Sequence, residues 1–600
     1  MTAPARAVVE SVRPQVDGGR YPIKRAIGDE VLVEADVFTD GHDAVVAELL
    51  YKYEKEKDWK TVTMEFRHND HWAGSFRVEK LGRYQYTVRG WTDRFRTWRR
   101  DLVKRRDAGQ DLTIDLQIGA EILGSEIPDF ETAMAVQAPA PSENTVVAYE
   151  KVLEVVVDPV RARFSAWYEM FPRSFGGLRG MVEVLPYVER LGFNVLYLPP
   201  VHPVGTTARK GKNNAIAAQP GDVGSPWAIG AAEGGHKALN PELGTFDDFH
   251  ALVEAARKRN LDIALDIAFQ CSPDHPYVRE HPEWFRARPD GTIQYAENPP
   301  KKYQDIYPFD FETPAWQSLW EELRSVFEFW AGHGVKVFRV DNPHTKSFEF
   351  WEWAIRDLKA KHPELIFLSE AFTRPRVMHK LAKLGFTQSY TYFTWRNTKH
   401  EITEYFEELF SSSSREYFRP NFWPNTPDIL HETLQRGGRP AFIVRVVLAA
   451  TAAANYGIYG PAFELQERTP REPGAEEYLN SEKYEVKRWD LERPDSLAPL
   501  IERLNSIRSQ NPALQRDWSM KFHAIDNDQL IAFSKKEEEN EILVVLNLDV
   551  HSPQSGMIDF PPCEVHDLLS GGHYTWTTHR NYIELSPHTL PAHVFRVTRK

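Results

Sequence analysis

Three carboxylates stand where short apolar runs of the chain end. Asp341 closes Val335–Val340, Glu370 follows Leu365-Ile-Phe-Leu-Ser, and Asp428 comes after the weaker run Tyr417–Phe422. Two acids at the tips of neighbouring strands can bracket a glycosidic bond, one ionised to attack and one still protonated near neutral pH. A retaining double displacement needs them about 5–5.5 Å apart, which adjacent strands can supply. Arg339 lies two residues before Asp341 and so on the same side of an extended strand, where a guanidinium keeps the carboxylate ionised and aims it. Glu370 comes after Phe367 and Leu368, and partial burial there would raise its pKa and suit it to general acid work. Asp428 could steady a cationic sugar ring or hold sugar hydroxyls. A strand-end acid can equally be half of a structural ion pair, so the elements behind these residues decide the matter.

Those elements alternate. Apolar strands are expected at Phe164–Arg173, Phe193–Pro203, Leu261–Gln270, Val335–Val340 and Leu365–Glu370, with shorter ones near Thr387–Phe393, Tyr417–Phe422 and Gly457–Tyr459. Helical patterns at Met181–Leu191, Phe246–Arg259 and Pro314–Phe329 lie between them. About eight such βα units close a (β/α)8 TIM barrel, which carries its chemistry at the strand C-termini. A segment crowded with Pro, Tyr and charge, 271–308, reads as a loop insert after the third strand. Before the barrel, alternation from about Arg20 to Val88 predicts an N-terminal β-sandwich within 1–92. Residues 93–160 read as a helical segment followed by a linker, with an Ala-, Pro- and Ser-rich stretch at Ala138–Asn144. The catalytic barrel is expected over 161–512, and 513–600 returns to short strands as a C-terminal β-sandwich. Both sandwiches are expected to serve packing.

Composition narrows the class. With 42% hydrophobic and 26% charged residues among 600, the chain has the balance of a globular protein of several domains. A net charge of −13 argues against general nucleic-acid binding. No apolar run reaches the length of a membrane span, the best being Val446–Ala454. The N-terminal residues lack the apolar core of a secretion signal, and the 2 cysteines, Cys271 and Cys563, are far apart, so the cytoplasm is expected. No cluster with metal-ligand spacing appears, and neither metal nor organic cofactor is expected. The 17 Trp residues permit a carbohydrate role without requiring it.

Phe338-Arg-Val-Asp, Leu368-Ser-Glu-Ala and Asn425-Thr-Pro-Asp resemble the signature blocks of the α-amylase superfamily. Within it, Arg209-Lys-Gly-Lys-Asn-Asn, Phe269-Gln-Cys-Ser-Pro-Asp-His-Pro, Glu297-Asn-Pro-Pro-Lys-Lys-Tyr-Gln-Asp, Arg339-Val-Asp-Asn-Pro-His-Thr-Lys and Tyr478-Leu-Asn-Ser-Glu-Lys-Tyr resemble the α-1,4-glucan:maltose-1-phosphate maltosyltransferases. The resemblance implies Asp341 as nucleophile, Glu370 as acid/base and Asp428 as transition-state stabiliser. It implies Lys210, Gln270, Asn298, Lys301, Tyr303 and Asn342, beside Arg339, around the donor, with Lys483 and Tyr484 on the distal glucose. The donor it implies is α-maltose 1-phosphate and the acceptor an α-1,4-glucan. Fixed lysines suit a phosphate leaving group, which ordinary amylases do not handle. An α-glucan hydrolase with the same acids, or an inactive glucan-binding protein on the scaffold, would share much of this pattern. Thr426 stands two residues ahead of Asp428 in place of the usual amylase His, and Ser174-Phe-Gly-Gly-Leu-Arg-Gly is shorter than the family's loop after the first strand. The helical segment is also abbreviated, and in the family that segment supports a homodimer.

Overall fold

A computed structural model describes residues 5–140, 145–299 and 301–599, and the side chains of Asn298 and Lys301 fall outside the described residues. Residues 141–144 of the expected linker also fall outside. The chain divides into two compact units, Met1–Pro159 and Val160–Lys600.

The first unit is two antiparallel-rich sheets. Alternation makes the first: in Glu30–Thr39, Val31, Val33, Ala35 and Val37 are buried while the residues between them are more exposed. That strand sits between Ala7–Arg13 and His71–Arg77, with Glu65–His68 at the edge. The second sheet runs Ile23–Ala26, Leu153–Asp158, Gly82–Asp93, Ala44–Tyr53, Lys60–Thr63. The helices Arg94–Asp107, Thr113–Leu123 and Phe130–Ala135 share a small core of Phe95, Trp98, Leu102, Ile127 and Ala133. One expectation changes here. The end of the stretch read as a linker, Leu153–Asp158, is an inner strand of the second sheet, parallel to Ile23–Ala26 and antiparallel to Gly82–Asp93. Its Leu-Glu-Val-Val-Val-Asp sequence is strand-forming in its own right, and Leu153, Val155 and Val157 are buried.

The second unit is built on eight parallel strands: β1 Ser165–Glu169, β2 Val195–Leu198, β3 Asp262–Ile267, β4 Val337–Asp341, β5 Ile366–Glu370, β6 Gln388–Ser389, β7 Asn421–Phe422 and β8 Asn455–Tyr459. They follow one another from β1 to β6, β8 joins β1 to β7, and an isolated parallel bridge between Ser389 and Pro420 links β6 back to β7. β6 and β7 are two residues each, which is why their periodicity is faint. Helices cover the outside, among them Gly177–Arg190, Phe246–Lys258, Trp316–Gly332 and Phe348–Lys361. The interior is filled by Trp167, Val195, Tyr197, Ala264, Val337, Ile366, Leu368, Tyr390 and Trp423. Two residues further along β3, β4 and β5, the same inward face switches to Asp266, Arg339 and Glu370, with Asp341 one repeat beyond Arg339. The run Val446–Ala454 is buried, largely in the kinked helix Glu432–Ala452, and among the described residues no helix is long and apolar enough to cross a membrane.

Three long loops rise at the strand C-termini. The segment after β3 pairs Gln270–Cys271 with Tyr307–Pro308 and holds the hairpin Ala296–Asn298/Lys301–Tyr303. Residues 199–245 after β2 and 460–497 after β8 carry Lys210 and Lys483 respectively. Beyond the barrel, two antiparallel sheets enclose Leu530, Leu543, Val545, Ile558, Val565 and Phe595.

Candidate active site

Asp341 and Glu370 are direct register partners on the neighbouring strands β4 and β5. Parallel strands lie about 4.8 Å apart, so the two carboxyls face the same side at near the separation that double displacement needs. Arg339 organises them. Its Nη1 donates to Asp341 Oδ1 at 2.8 Å and to Asp266 Oδ2 at 2.9 Å, while Nη2 stands 3.7 Å from Glu370 Oε2. Asn342 follows in the left-handed region, with φ 43°, which Asn tolerates better than most residues. That turn aims its N–H at Glu370 Oε2, 3.0 Å away, while its side-chain Nδ2 donates to Asp341 Oδ2 at 3.2 Å.

The electrostatics separate the two acids. Burial alone would raise Asp341, but the charges of Arg339 and Lys346 outweigh it and hold the carboxyl below its usual range. Glu370 is pushed up to about 7, chiefly by burial and against the pull of Arg339, with the charge of Asp341 adding to the rise. One carboxylate is therefore ionised and its partner holds a proton near neutral pH, the division that a nucleophile and an acid/base require.

Asp428 lies six residues beyond β7 and is half-exposed. Lys483 Nζ donates to its Oδ1 at 2.8 Å and sits 4.9 Å from the centre of the Trp227 ring. Burial favours the neutral amine of Lys483, yet Asp428 and Tyr484 overcome it and raise the pKa. Lys210 and Tyr484 are buried. Both lie within electrostatic reach of the buried Asp305, as does Lys483. Burial raises Asp305 while the two lysines pull it down, and its Oδ1 has no hydrogen-bond partner among the described residues. Gln270 begins the strand Gln270–Cys271 and donates from Nε2 to the Trp227 carbonyl at 3.2 Å. Tyr303 ends the hairpin that also carries Asn298 and Lys301, whose backbones pair with each other.

The chain matches the profile described as α-1,4-glucan:maltose-1-phosphate maltosyltransferase, domain N/S, over residues 5–165. It matches the α-amylase catalytic domain over 162–331 and the profile described as GLGE, C-terminal, over 522–597. The α-1,4-glucan:maltose-1-phosphate maltosyltransferase of Chlorobaculum tepidum is 51% identical over 99% of this chain and 96% of that protein. Its namesake in Salinibacter ruber is 47% identical over the same shares. The chain belongs to the α-1,4-glucan:maltose-1-phosphate maltosyltransferase family. Among solved structures, a maltogenic α-amylase from Thermotoga neapolitana superposes with a TM-score of 0.57 at 19% identity, covering 73% of this chain and 100% of that one. An α-amylase from Lactobacillus plantarum gives 0.58 at 19% identity over the same shares, so the amylase-type barrel is shared.

In this maltosyltransferase-family chain, several residues around the acids escaped the sequence reading. Asp266 accepts from Arg339, from the Tyr197 hydroxyl and from Trp227 Nε1 at 3.2 Å, and burial pushes it up to about 7. A lone acid inside the otherwise apolar Ala-Leu-Asp-Ile was the available signal. Lys346 donates to the Asn342 carbonyl at 3.2 Å and adds its charge to the field on Asp341. Trp227 lies in a loop without periodicity, and nothing local distinguishes it from a packing residue.

Among the described residues, one group has ligand atoms close enough for a metal: His236, Cys271 and His275, all buried. The ring nitrogens of its two histidines are already hydrogen-bonded. His236 Nε2 faces the Ala268 carbonyl at 2.9 Å, and His275 Nδ1 accepts from the Tyr277 N–H at 3.0 Å. The proton left on His275 Nε2 therefore points at His236 Nδ1, 3.0 Å away. A cation there would have to displace that proton and leave His275 an imidazolate. Burial pulls His236 down to about 4 and His275 to about 2, so both rings are neutral and fasten the base of the insert.

Proposed function

We propose that this protein is a retaining glycosyltransferase that moves α-maltosyl units from α-maltose 1-phosphate to the non-reducing end of an α-1,4-glucan, releasing phosphate. The observation that carries the chemistry is the in-register pair Asp341 and Glu370 with opposite protonation. Family membership supports this donor and this acceptor.

Asp341 attacks the anomeric carbon as the bond from that carbon to the phosphate oxygen breaks, and Glu370 gives its proton to the departing oxygen. The product is a β-linked maltosyl ester on Asp341. In the second step the 4-hydroxyl of the acceptor's terminal glucose attacks. Glu370 takes that proton, and Asp341 leaves as the carboxylate. Two inversions give net retention. Asp428, half-exposed beside Lys483, stabilises the cationic ring or holds its hydroxyls, and Lys483 with Tyr484 grips the distal glucose. Lys210 and Lys301, with Gln270, Asn298, Tyr303 and Asn342, surround the donor.

Incubating the protein with α-maltose 1-phosphate and maltohexaose should release phosphate only when acceptor is present and give products longer by two glucose units. Reducing sugar set free from glucan without phosphate would replace this reading with hydrolysis. Phosphate recognition is separable from the glycosyl chemistry. Lys210→Met and Lys301→Met should each lower kcat/KM for maltose 1-phosphate by about 10–100-fold, the loss of one charge-assisted contact. Maltosyl fluoride carries no phosphate to hold, so its turnover should fall much less. Equal losses on both donors would mean that these lysines shape the loops instead.

A homodimer and a cytoplasmic setting belong to the same proposal. The helix Thr113–Leu123 exposes Ile114 and Ile118 one turn apart, at 63% and 41%, a face suited to a second copy. Light scattering should give twice the chain mass, and Ile114→Lys with Ile118→Lys should halve it. Cys271 and Cys563 are both buried free thiols, as a reducing compartment would permit.

A further inference from the structure

The short loop after β1 carries an arginine, Arg173, that touches none of the three strand-end acids but bonds to two of the loops above them. The chain leaves β1 through the 3₁₀ turn Pro172–Phe175 and enters the helix Gly177–Arg190 almost at once. Gly176 and Gly177 have φ 79° and 78°, and a side chain on Gly177 would meet the Leu243 carbonyl oxygen at 2.4 Å. Within this turn Arg173 reaches two other loops. Its Nη1 donates to the Gly224 carbonyl at 3.0 Å, and its Nη2 to the carbonyls of Glu482 and Lys483, both at 2.7 Å. Among the described residues no carboxylate pairs with it directly. Burial draws its pKa down to about 10, which leaves it charged at neutral pH.

The neighbouring residue secures the same loop. Ser174 Oγ accepts from the Lys487 N–H at 3.0 Å, and the side chain also bonds to Glu482. Glu482 in turn accepts from the Tyr459 hydroxyl at 2.6 Å and from Trp489 Nε1 at 3.2 Å. The two loops that Arg173 joins carry the side chains that meet over the site. Lys483 pairs with Asp428 and lies over Trp227, and Trp227, three residues after Gly224, donates to Asp266.

We infer that Arg173 is a positioning residue for the maltosyl donor: its guanidinium fork pins the backbone of Lys483 to the Gly224 turn and so sets Lys483 against Asp428 and Trp227. The inference rests on the proposed role of Lys483 in gripping the distal glucose. A planar fork with several donors can satisfy three carbonyls from two loops at once, which a lysine ammonium on a flexible stem cannot do with the same geometry. The shortness of this loop follows from the same contacts, since the clamp must leave the strand and reach both partners within one turn.

The test is a double-variant cycle on the full chain, with kcat/KM read on both maltose 1-phosphate and maltosyl fluoride. Arg173→Lys should lower kcat/KM by about 10–100-fold, as for loss of a charge-assisted contact, and equally on both donors, because the lost grip is on sugar. Lys483→Met should do the same, and adding Arg173→Lys to it should cost less than about threefold more, because the two act through one contact. In Arg173→Ala, millimolar methylguanidinium should recover part of the lost rate, which a merely destabilised fold would not do. If Lys483→Met costs activity but the two losses multiply in the double variant, the positioning role is overturned while the Lys483 reading stands. If Lys483→Met is as active as the parent, the Lys483 reading fails and takes this inference with it. A lowered melting temperature for Arg173→Lys with unchanged rates well below it would also overturn the proposal and leave Arg173 a structural residue.

Discussion

Asp341→Ala is expected to lower turnover of maltose 1-phosphate by on the order of 10⁴–10⁶-fold, the scale seen when a covalent nucleophile is removed. Asp341 ends β4 with one oxygen on Arg339 and the other on Asn342, so its carboxylate is held in place before any substrate arrives. Glu370, its register partner, cannot substitute, because burial keeps it protonated up to about 7. A 2-deoxy-2-fluoro maltosyl fluoride should label the parent protein with one maltosyl group, and peptide mapping should place the label on Asp341. The alanine variant should take up none. A label found on Glu370 or Asp428 would overturn the assignment of roles. The fold should survive the change, since Arg339 keeps Asp266 as a partner, and an unchanged melting temperature would confirm that the loss is chemical.

The parts of this site that could be read from the sequence are those in which one short run encodes both position and chemistry. Val337-Phe-Arg-Val-Asp alternates inward and outward, so placing its strand also placed Arg339 and Asp341 on one face. Ile366-Phe-Leu-Ser-Glu did the same for Glu370, and parallel pairing brought the two tips level. Asp428 is different. Its strand is two residues long and five more intervene, so what the carboxylate touches is set by Lys483, 55 positions away in sequence. The same holds for Trp227 and Arg173, whose roles consist of contacts between loops and leave no periodic trace. Leu153–Asp158, within the stretch 93–160 expected to be a helical segment and linker, has the composition of a strand, but nothing in its own residues names the neighbours it pairs with. Only tertiary pairing with Ile23–Ala26 and Gly82–Asp93 returns it to the first unit.

Glu370→Ala should separate the two half-reactions, because the proposed mechanism uses the residue as an acid in one and as a base in the other. With maltose 1-phosphate the parent should show a bell-shaped kcat/KM. The acid limb reports ionisation of Asp341 and lies below the usual carboxylate range, since Arg339 and Lys346 hold that pKa down. The alkaline limb should fall near about 7, where Glu370 loses the proton it must donate. Phosphate monoesters ionise near about 6, so the donor itself bends this profile and a second donor is needed. Maltosyl fluoride departs with little help from an acid, and its kcat/KM should stay nearly flat through the alkaline limb. In Glu370→Ala, maltose 1-phosphate turnover should drop by about 10²–10⁴-fold, the usual worth of a general acid–base group. Formation of the maltosyl ester from the fluoride should be much less affected, while its transfer to glucan should slow for want of a base. The ester on Asp341 should then accumulate and be visible by intact mass within the first turnovers. Added azide needs no deprotonation, so it should discharge the ester as α-maltosyl azide and restore turnover. A β-configured azide would mean direct displacement at the anomeric carbon and would remove Asp341 from the pathway. If maltosyl fluoride also showed an alkaline limb near pH 7, and kept it in Glu370→Ala, the proton near pH 7 would belong to another group. Asp266, also raised to about 7 by burial and bonded to the same arginine, would then be the group to replace next.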